Sequence, residues 1–329
     1  MNISTAKTIV KIAIAANQPL LVIGNPGVGK SSIIQQAAEE TGISFIDVRV
    51  SQLEAIDLRG IPTVKDGVTT WNPPDFLPTR GAGILCLDEL TSATPSMQTA
   101  CYQLILDRRL GDYVLPPKWS IVAAGNKISD RAVVYPMSSA LKNRFMTIEV
   151  ESDLDAWKAW ALSNDIDPII IGFLNFRPEL LNVFNSNKID HNQHAFATER
   201  SWVALNRALP HTDPKYRSLI ATGLVGQGAG IEFSSFYSLH SSLPELKQIL
   251  LTPLTTPVPS RPDALYAVSS MLSYHATVTA FPTMMTYIAR LPLEFQVLTM
   301  RDMLKRTPII STTKAFGVWA ASNTDVIFG

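Results

Sequence analysis

An apolar run from Leu20 to Gly24 breaks into a glycine-bearing loop and then into a helical pattern, LLVIGNPGVGKSSIIQQAAEE. The segment GNPGVGKS fits G-x-x-x-x-G-K-[ST] and stands where that motif needs to stand, after a strand and before a helix. Gly24, Gly27 and Gly29 let backbone N–H groups turn inward and approach phosphate oxygens, with Asn25, Pro26 and Val28 between them and Ser32 just beyond. The positive end of the following helix adds to that anion site. Lys30 is placed to reach β- and γ-phosphates, and the Ser31 hydroxyl to ligate Mg²⁺.

Phosphoryl transfer also needs a carboxylate that holds the metal and a group that orients water. GILCLDE, residues 83–89, supplies both at the end of an apolar strand. Asp88 would hold Mg²⁺ through its water shell, and Glu89 would polarise the attacking water. IVAAGN ends another apolar run in Asn126, either a γ-phosphate or water contact or an ordinary turn asparagine.

Strand patterns at Leu20–Gly24, Ser44–Val50, Gly83–Leu87, Ser120–Ala124 and Met146–Val150 alternate with helical ones, which argues a parallel sheet covered on both faces. Ser4 or Thr5 is the expected cap of a first helix, and Gly42 the expected end of the helix after the loop. Asp66-Gly67, flanked by β-type residues, marks a hairpin inserted at about 57–73. Thr94-Pro95 opens a helix to about Asp107, and RRLGDYVLP reads as a second small hairpin. From Asp153 the pattern turns helical, and Pro253, Pro257, Pro259 and Pro262 read as a linker. The expected division is an α/β nucleotide-binding core over 1–150, a helical lid over 151–250 and a helical C-terminal extension over 251–329.

The series GNPGVGKS, DLRGIP, GILCLDE, AAGN, KNRF resembles the AAA+ ATPases and, within them, the MoxR-like group, over about residues 1–245. The resemblance implies a P-loop core with five parallel strands, a helical lid, ATP and Mg²⁺ as ligands, and a ring, usually hexameric, with ATP at subunit interfaces. Arg144 in LKNRF matches the arginine finger that reaches into a neighbour's site; apart from the resemblance, it is an arginine at a helix end. Arg200 in TERSW matches the lid arginine, although Glu199 stands where the family usually has proline. The resemblance also implies a chaperone acting on a protein client with a von Willebrand factor A domain partner. Trp71 would either contact that client or pack its hairpin onto the core. Arg108 and Arg109, in the second hairpin, would face ATP or the neighbour, and Arg131 is a further interface candidate.

Two other function classes stand beside a ring-forming hydrolase: an ATP-binding switch or scaffold with little turnover, and a nucleic-acid motor. Lys30, Asp88, Glu89, Asn126 and Arg144 together weigh against the switch, which needs neither the water-orienting acid nor the finger. Lys+Arg and Asp+Glu both number 28, so the basic footprint of a nucleic-acid binder is lacking. Charged residues make up 17% and hydrophobic ones 46%, which suggests surface covered by copies or a partner. Cys86 and Cys101 indicate neither a disulfide framework nor a zinc site. His191 and His194, flanked by asparagines, read as a polar loop rather than a metal pair. No apolar run is long enough to span a bilayer. Lys7, Lys11 and Ala13–Ala16 only weakly imitate a signal peptide, since a nucleotide loop follows at once, so a cytoplasmic protein is expected.

Overall fold

The computed structural model describes residues 1–127, 134–186, 194–240 and 243–323. Arg131 and His191 lie outside them. The chain forms two compact units, Met1–Ser152 and Asp153–Gly329.

In the first unit, helix α1 (Ile3–Ala15) opens on Asn2, whose side chain accepts from the Thr5 N–H. The cap is therefore Asn2 rather than Ser4 or Thr5, because Asn2 is the last extended residue. Strand β1 (Leu20–Gly24) leads through the loop into α2 (Lys30–Thr41), which ends at Gly42, as the sequence predicts. Strand β2 (Ser44–Arg49) stops one residue early, where Val50 starts a 3₁₀ turn. After α3 (Ala55–Arg59), strands β3 (Ile61–Lys65) and β4 (Val68–Asn72) form the inserted hairpin around Asp66 and Gly67. Strand β5 (Gly83–Asp88) precedes α4 (Pro95–Asp107), capped by the Thr94 hydroxyl. The second hairpin, β6 (Arg109–Leu110) with β7 (Tyr113–Val114), is followed by β8 (Trp119–Gly125), α5 (Ser139–Lys142) and β9 (Met146–Val150).

Five strands make one parallel sheet in the order β2-β5-β8-β1-β9. Successive side chains of a strand face opposite ways. Leu20, Val22, Ile84, Cys86, Val122 and Ala124 therefore pack with Val10 of α1 and Ile34 and Ala37 of α2. Leu21, Leu85, Leu87, Ile121 and Ala123 pack with Met97 and Leu104 of α4. Because the strands run one way, β1, β2, β5 and β8 all deliver their carboxyl ends to one edge, and the loops that follow meet there. Lys7 and Lys11 lie on α1 and hold Glu40 of α2, whose carboxyl their hydrogen bonds keep down at about 2.

The second unit is helical: α6 (Leu154–Ser163), α7 (Pro168–Phe176), α8 (Glu199–Ala208), α9 (Arg217–Val225), α10 (Gln227–His240), α11 (Leu246–Leu251), α12 (Pro262–Tyr274), α13 (Phe281–Ile288), α14 (Leu293–Arg306) and α15 (Lys314–Ser322). Phe173 sits at its centre, with the rings of Trp202, Phe233 and Phe236 each 5.5 Å away. The proline stretch is no loose linker. Arg290 donates to the carbonyls of Pro253 (2.6 Å) and Thr256 (2.8 Å), the Tyr287 hydroxyl donates to that of Pro257 (2.9 Å), and Pro262 is the first residue of α12. Proline ends a helix on the sequence scale, but its free carbonyl is still an acceptor that distant donors can fix. Helix α12, within 251–329, packs on α7, within 151–250.

Two charged groups, Asp47 on an exposed face of β2 and Lys158 inside the helical unit, carry testable costs. Asp47 on β2 lies beside β5, and burial, then the neighbouring Asp88, raises its carboxyl above the ordinary range. The folded chain then holds the proton more tightly than the unfolded chain, so ionising Asp47 costs stability. That cost is absent below the ordinary carboxylate range and complete above the raised value. Asp47→Asn is expected to raise the melting temperature at about pH 7, with the gain shrinking toward about pH 4. Equal melting temperatures at both ends of the range, by circular dichroism, would contradict this.

Lys158 of α6 is 1% exposed; its ammonium lies 3.0 Å from Asp302 of α14 and donates to Asn175 Oδ1 at 3.1 Å. Lys158→Met would leave Asp302, among the described residues, with Arg301 at 3.9 Å as its one cationic partner, and should destabilise the second unit by about 3 kcal/mol or more. Lys158→Met with Asp302→Leu should recover most of that loss in urea unfolding. A single variant as stable as wild type would show the pair to be dispensable.

Candidate functional site

At the carboxyl edge of the sheet, the loop after β1 takes two left-handed positions, Gly27 (φ 79°) and Gly29 (φ 93°), a conformation that a side chain would strain. Val28, 1% exposed, anchors the loop in the core on the α2 side. Gly29 gives no side-chain cap to α2, so the helix's first N–H groups and its positive end face the loop. Lys30 donates to the carbonyls of Gly24 (2.8 Å) and Asn25 (3.0 Å) and to Oδ1 of Asn126 (2.9 Å). The Ser31 hydroxyl donates to Oδ2 of Asp88 at 2.7 Å. Pro26 is half-buried in the loop, and Ser32 is exposed on α2.

Asp88 ends β5, and its other oxygen, Oδ1, accepts from the Glu89 N–H at 2.9 Å. Glu89 has a left-handed backbone (φ 58°), which turns the chain sharply off the strand. Its carboxylate accepts a hydrogen bond from the Ser51 hydroxyl, just past the end of β2. The structure thus forms two hydrogen-bonded pairs, Lys30–Asn126 and Ser31–Asp88, joined through the adjacent residues Lys30 and Ser31, with Glu89 next in chain to Asp88 and tied to Ser51. Oxygen donors alone, a hydroxyl and a carboxylate, suit a hard cation such as Mg²⁺.

Other candidates are placed differently. Arg144 follows α5 and is exposed; among the described residues, no hydrogen bond ties its side chain to this group. Arg200 is exposed on the first turn of α8, in the second unit, and Glu199 turns inward to accept from Asn182 Nδ2 at 2.7 Å, so Glu199 is engaged inside the fold. Arg108 does not face the loop. It has a left-handed backbone at the end of α4 and donates to Asn17 Oδ1 (3.1 Å) and the carbonyls of Pro116 (2.9 Å) and Trp119 (2.6 Å), closing the second hairpin onto the core. Arg109 is exposed. Trp71 carries the Arg59 guanidinium 4.4 Å above its ring, which joins the first hairpin to α3. His194 is exposed, and no cluster of metal-ligating side chains occurs among the described residues.

Ser51, and Thr91, whose hydroxyl meets the Asn126 backbone, escape sequence reasoning, because each lies beyond a strand end and meets its partner only through the strand order. The one available signal was their place just after apolar runs whose carboxyl ends converge.

Comparison with known proteins finds similarity at the level of the domain. A 186-residue stretch is 28% identical to midasin of Giardia intestinalis, covering 52% of this chain and 4% of that protein. The chain therefore spans a small fraction of the curated relative it matches. Solved structures similar in fold include a RuvB mutant of Thermotoga maritima (16% identity, TM-score 0.43, 83% of each chain) and NtrX of Brucella abortus (13%, TM-score 0.41, 91% of this chain and 67% of that one). A putative ATPase of Cytophaga hutchinsonii is similar at 14% identity and TM-score 0.36, over 78% of this chain and 90% of that one. Among the described residues, no helix is long and apolar enough to cross a membrane. Residues 19–145, which hold the loop, the acids, Asn126 and Arg144, match the family model of the AAA domain (dynein-related subfamily).

Proposed function

We propose that this chain binds Mg²⁺-ATP on the loop Gly24–Ser31 and hydrolyses it. The convergence of Lys30 on Asn126 and of Ser31 on Asp88, at the N-terminus of α2, is the observation that carries this reading. β- and γ-phosphate oxygens would replace the Gly24 and Asn25 carbonyls as partners of Lys30, while the loop N–H groups bind the phosphates. Ser31 and, through water, Asp88 would hold Mg²⁺, which neutralises charge on the phosphates. Glu89 orients water for attack on the γ-phosphorus; the bond to the β-phosphate oxygen breaks, leaving ADP, phosphate and a proton. Asn126 contacts the γ-phosphate or that water.

Arg144, which is exposed, would act on a neighbour's nucleotide, and Arg200 would sense nucleotide from the helical unit. A ring, hexameric by resemblance to the MoxR-like group, follows from that division of labour. Its changes of shape would remodel a protein client in the cytoplasm, with a von Willebrand factor A domain partner; this part rests on the resemblance alone. The Ser51–Glu89 hydrogen bond favours a second reading, a switch that binds ATP while its acid is held.

Turnover and nucleotide binding, measured against protein concentration, decide between them. Lys30→Ala should abolish binding. Glu89→Gln should keep binding and lower turnover by about 10²-fold or more. Arg144→Ala should cut turnover by about 10³-fold with binding intact, and wild-type turnover per subunit should rise with concentration. Binding without turnover at every concentration would leave the switch. Glu89→Gln turning over like wild type would remove Glu89 from its role, and a wild type that binds no nucleotide would end the proposal.

A further inference from the structure

Asn126 can serve its role only if its carboxamide is held at a fixed place, yet it stands just past the sheet. The pairing of β5 with β8 ends at Leu87 with Ala123, and that of β1 with β8 ends at Ile23 with Gly125. Asn126 therefore has no ladder partner on either side. One side chain supplies what the ladder does not. The Thr91 hydroxyl, in the turn after β5, accepts from the Asn126 N–H at 2.9 Å and donates to the Asn126 carbonyl at 3.2 Å. A single hydroxyl, with one donor hydrogen and two lone pairs, clasps both backbone groups of one residue.

The approach is close enough to require glycine at the preceding position. A Cβ on Gly125 would fall 2.5 Å from the Thr91 methyl and 2.6 Å from its hydroxyl. Thr91 itself is 5% exposed, and its carbonyl accepts from the Tyr135 N–H at 2.8 Å. The buried Gln98 side chain donates to the carbonyl of Ala93 at 3.2 Å and to that of Tyr135 at 3.4 Å, fixing the same turn. Thr91 is thus joined to Asn126 and to Tyr135, while the Asn126 carboxamide holds Lys30.

We infer that Thr91 is the positioning residue of the nucleotide site, acting through Asn126 to set where its carboxamide meets Lys30 and the γ-phosphate. This rests on the proposed reading of the site as an ATP site. Thr91 bonds the Asn126 backbone and so couples the strand end that carries the acids to the one that carries the amide. Its loss should therefore spare the diphosphate and affect what is specific to the γ-phosphate.

The test uses the full chain with Thr91→Val, which keeps the shape and removes both hydrogen bonds, and Thr91→Ser, which keeps the hydroxyl. Affinities for ADP and for a non-hydrolysable triphosphate analogue are measured by calorimetry, beside kcat and KM for Mg²⁺-ATP. Thr91→Val is expected to lower the triphosphate-to-diphosphate affinity ratio and kcat by about tenfold, with ADP affinity within about twofold of wild type. Thr91→Ser is expected to hold both within about threefold of wild type. In an Asn126→Ala background, Thr91→Val should add nothing further to either loss. Should Thr91→Val fail to fold, Thr91→Ala carries the same expectation.

An unchanged ratio and kcat in Thr91→Val would overturn the inference. So would an equal fall in ADP affinity, a full effect in the Asn126→Ala background, or a Thr91→Ser variant as impaired as the valine. If wild type binds nucleotide without turnover, hydrolysis fails while the affinity ratio still decides on Thr91. If wild type binds no nucleotide, both readings fall.

Discussion

The ammonium of Lys30 is an awkward charge. It stands on the first residue of α2, where the helix already concentrates positive potential. Oxygens of Gly24, Asn25 and Asn126 hold it there at 2.8–3.0 Å, from the end of β1, from the loop and from beyond the end of β8. A cation so placed ties two adjacent strand ends and the loop between them into one object. The glycine conformations, the buried Val28 side chain and the strand order each serve that arrangement. Without β8 beside β1, Asn126 would not be within reach.

What the sequence made legible was local. The strand–loop–helix around the glycines, the two-residue turn at Asp66 and Gly67 and the helix start at Thr94 and Pro95 depend on neighbours in chain. There, backbone preference and capping decide the structure. The alternation of strands and helices made the α/β core legible too, and the structure has it, with its inserted hairpins and helical remainder. What escaped was non-local. Arg108 read as a candidate to face ATP or the neighbour, but its acceptors, two carbonyls and Asn17, are brought to it by the hairpin closure and by the turn after α1. Pro253 and Pro257 read as linker because proline breaks helices, while their carbonyls were free for Arg290 and Tyr287 to hold.

The low share of charged residues has two destinations. Inside the helical unit, a ring cluster around Phe173 and the Lys158–Asp302 pair fill the interior. On the first hairpin, Ile61, Val64 and Val68 are 72%, 77% and 62% exposed. A two-stranded hairpin buries too little to be stable by itself. Here the Arg59–Trp71 contact and the side chains of Thr63, Thr70 and Asn72, hydrogen-bonded across one face, support it. Trp71 is thus committed at least in part to packing, which leaves the aliphatic residues, rather than the aromatic one, as the outermost apolar surface of the hairpin.

At the edge of the sheet, three hydroxyls each hold one polar group: Ser31 on Asp88, Ser51 on Glu89 and Thr91 on Asn126. The choice of neutral partners has an electrostatic consequence. Lys30 and Arg49, which ends β2 opposite Asp88, bring two positive charges, against carboxylates on Asp88 and Glu89 and a third on Asp47 whose ionisation burial and Asp88 resist. A triphosphate arriving at this edge would meet more negative than positive charge. An arginine in place of Ser31 or Ser51 would relieve that, but would also bind the carboxylate in a fixed fork. Hydroxyls leave the acids free to change partner by a torsion, and leave the missing positive charge to be supplied from outside the group. A divalent cation between Ser31 and Asp88 would be one such source. A guanidinium from another copy would be the other, the role proposed for the exposed Arg144.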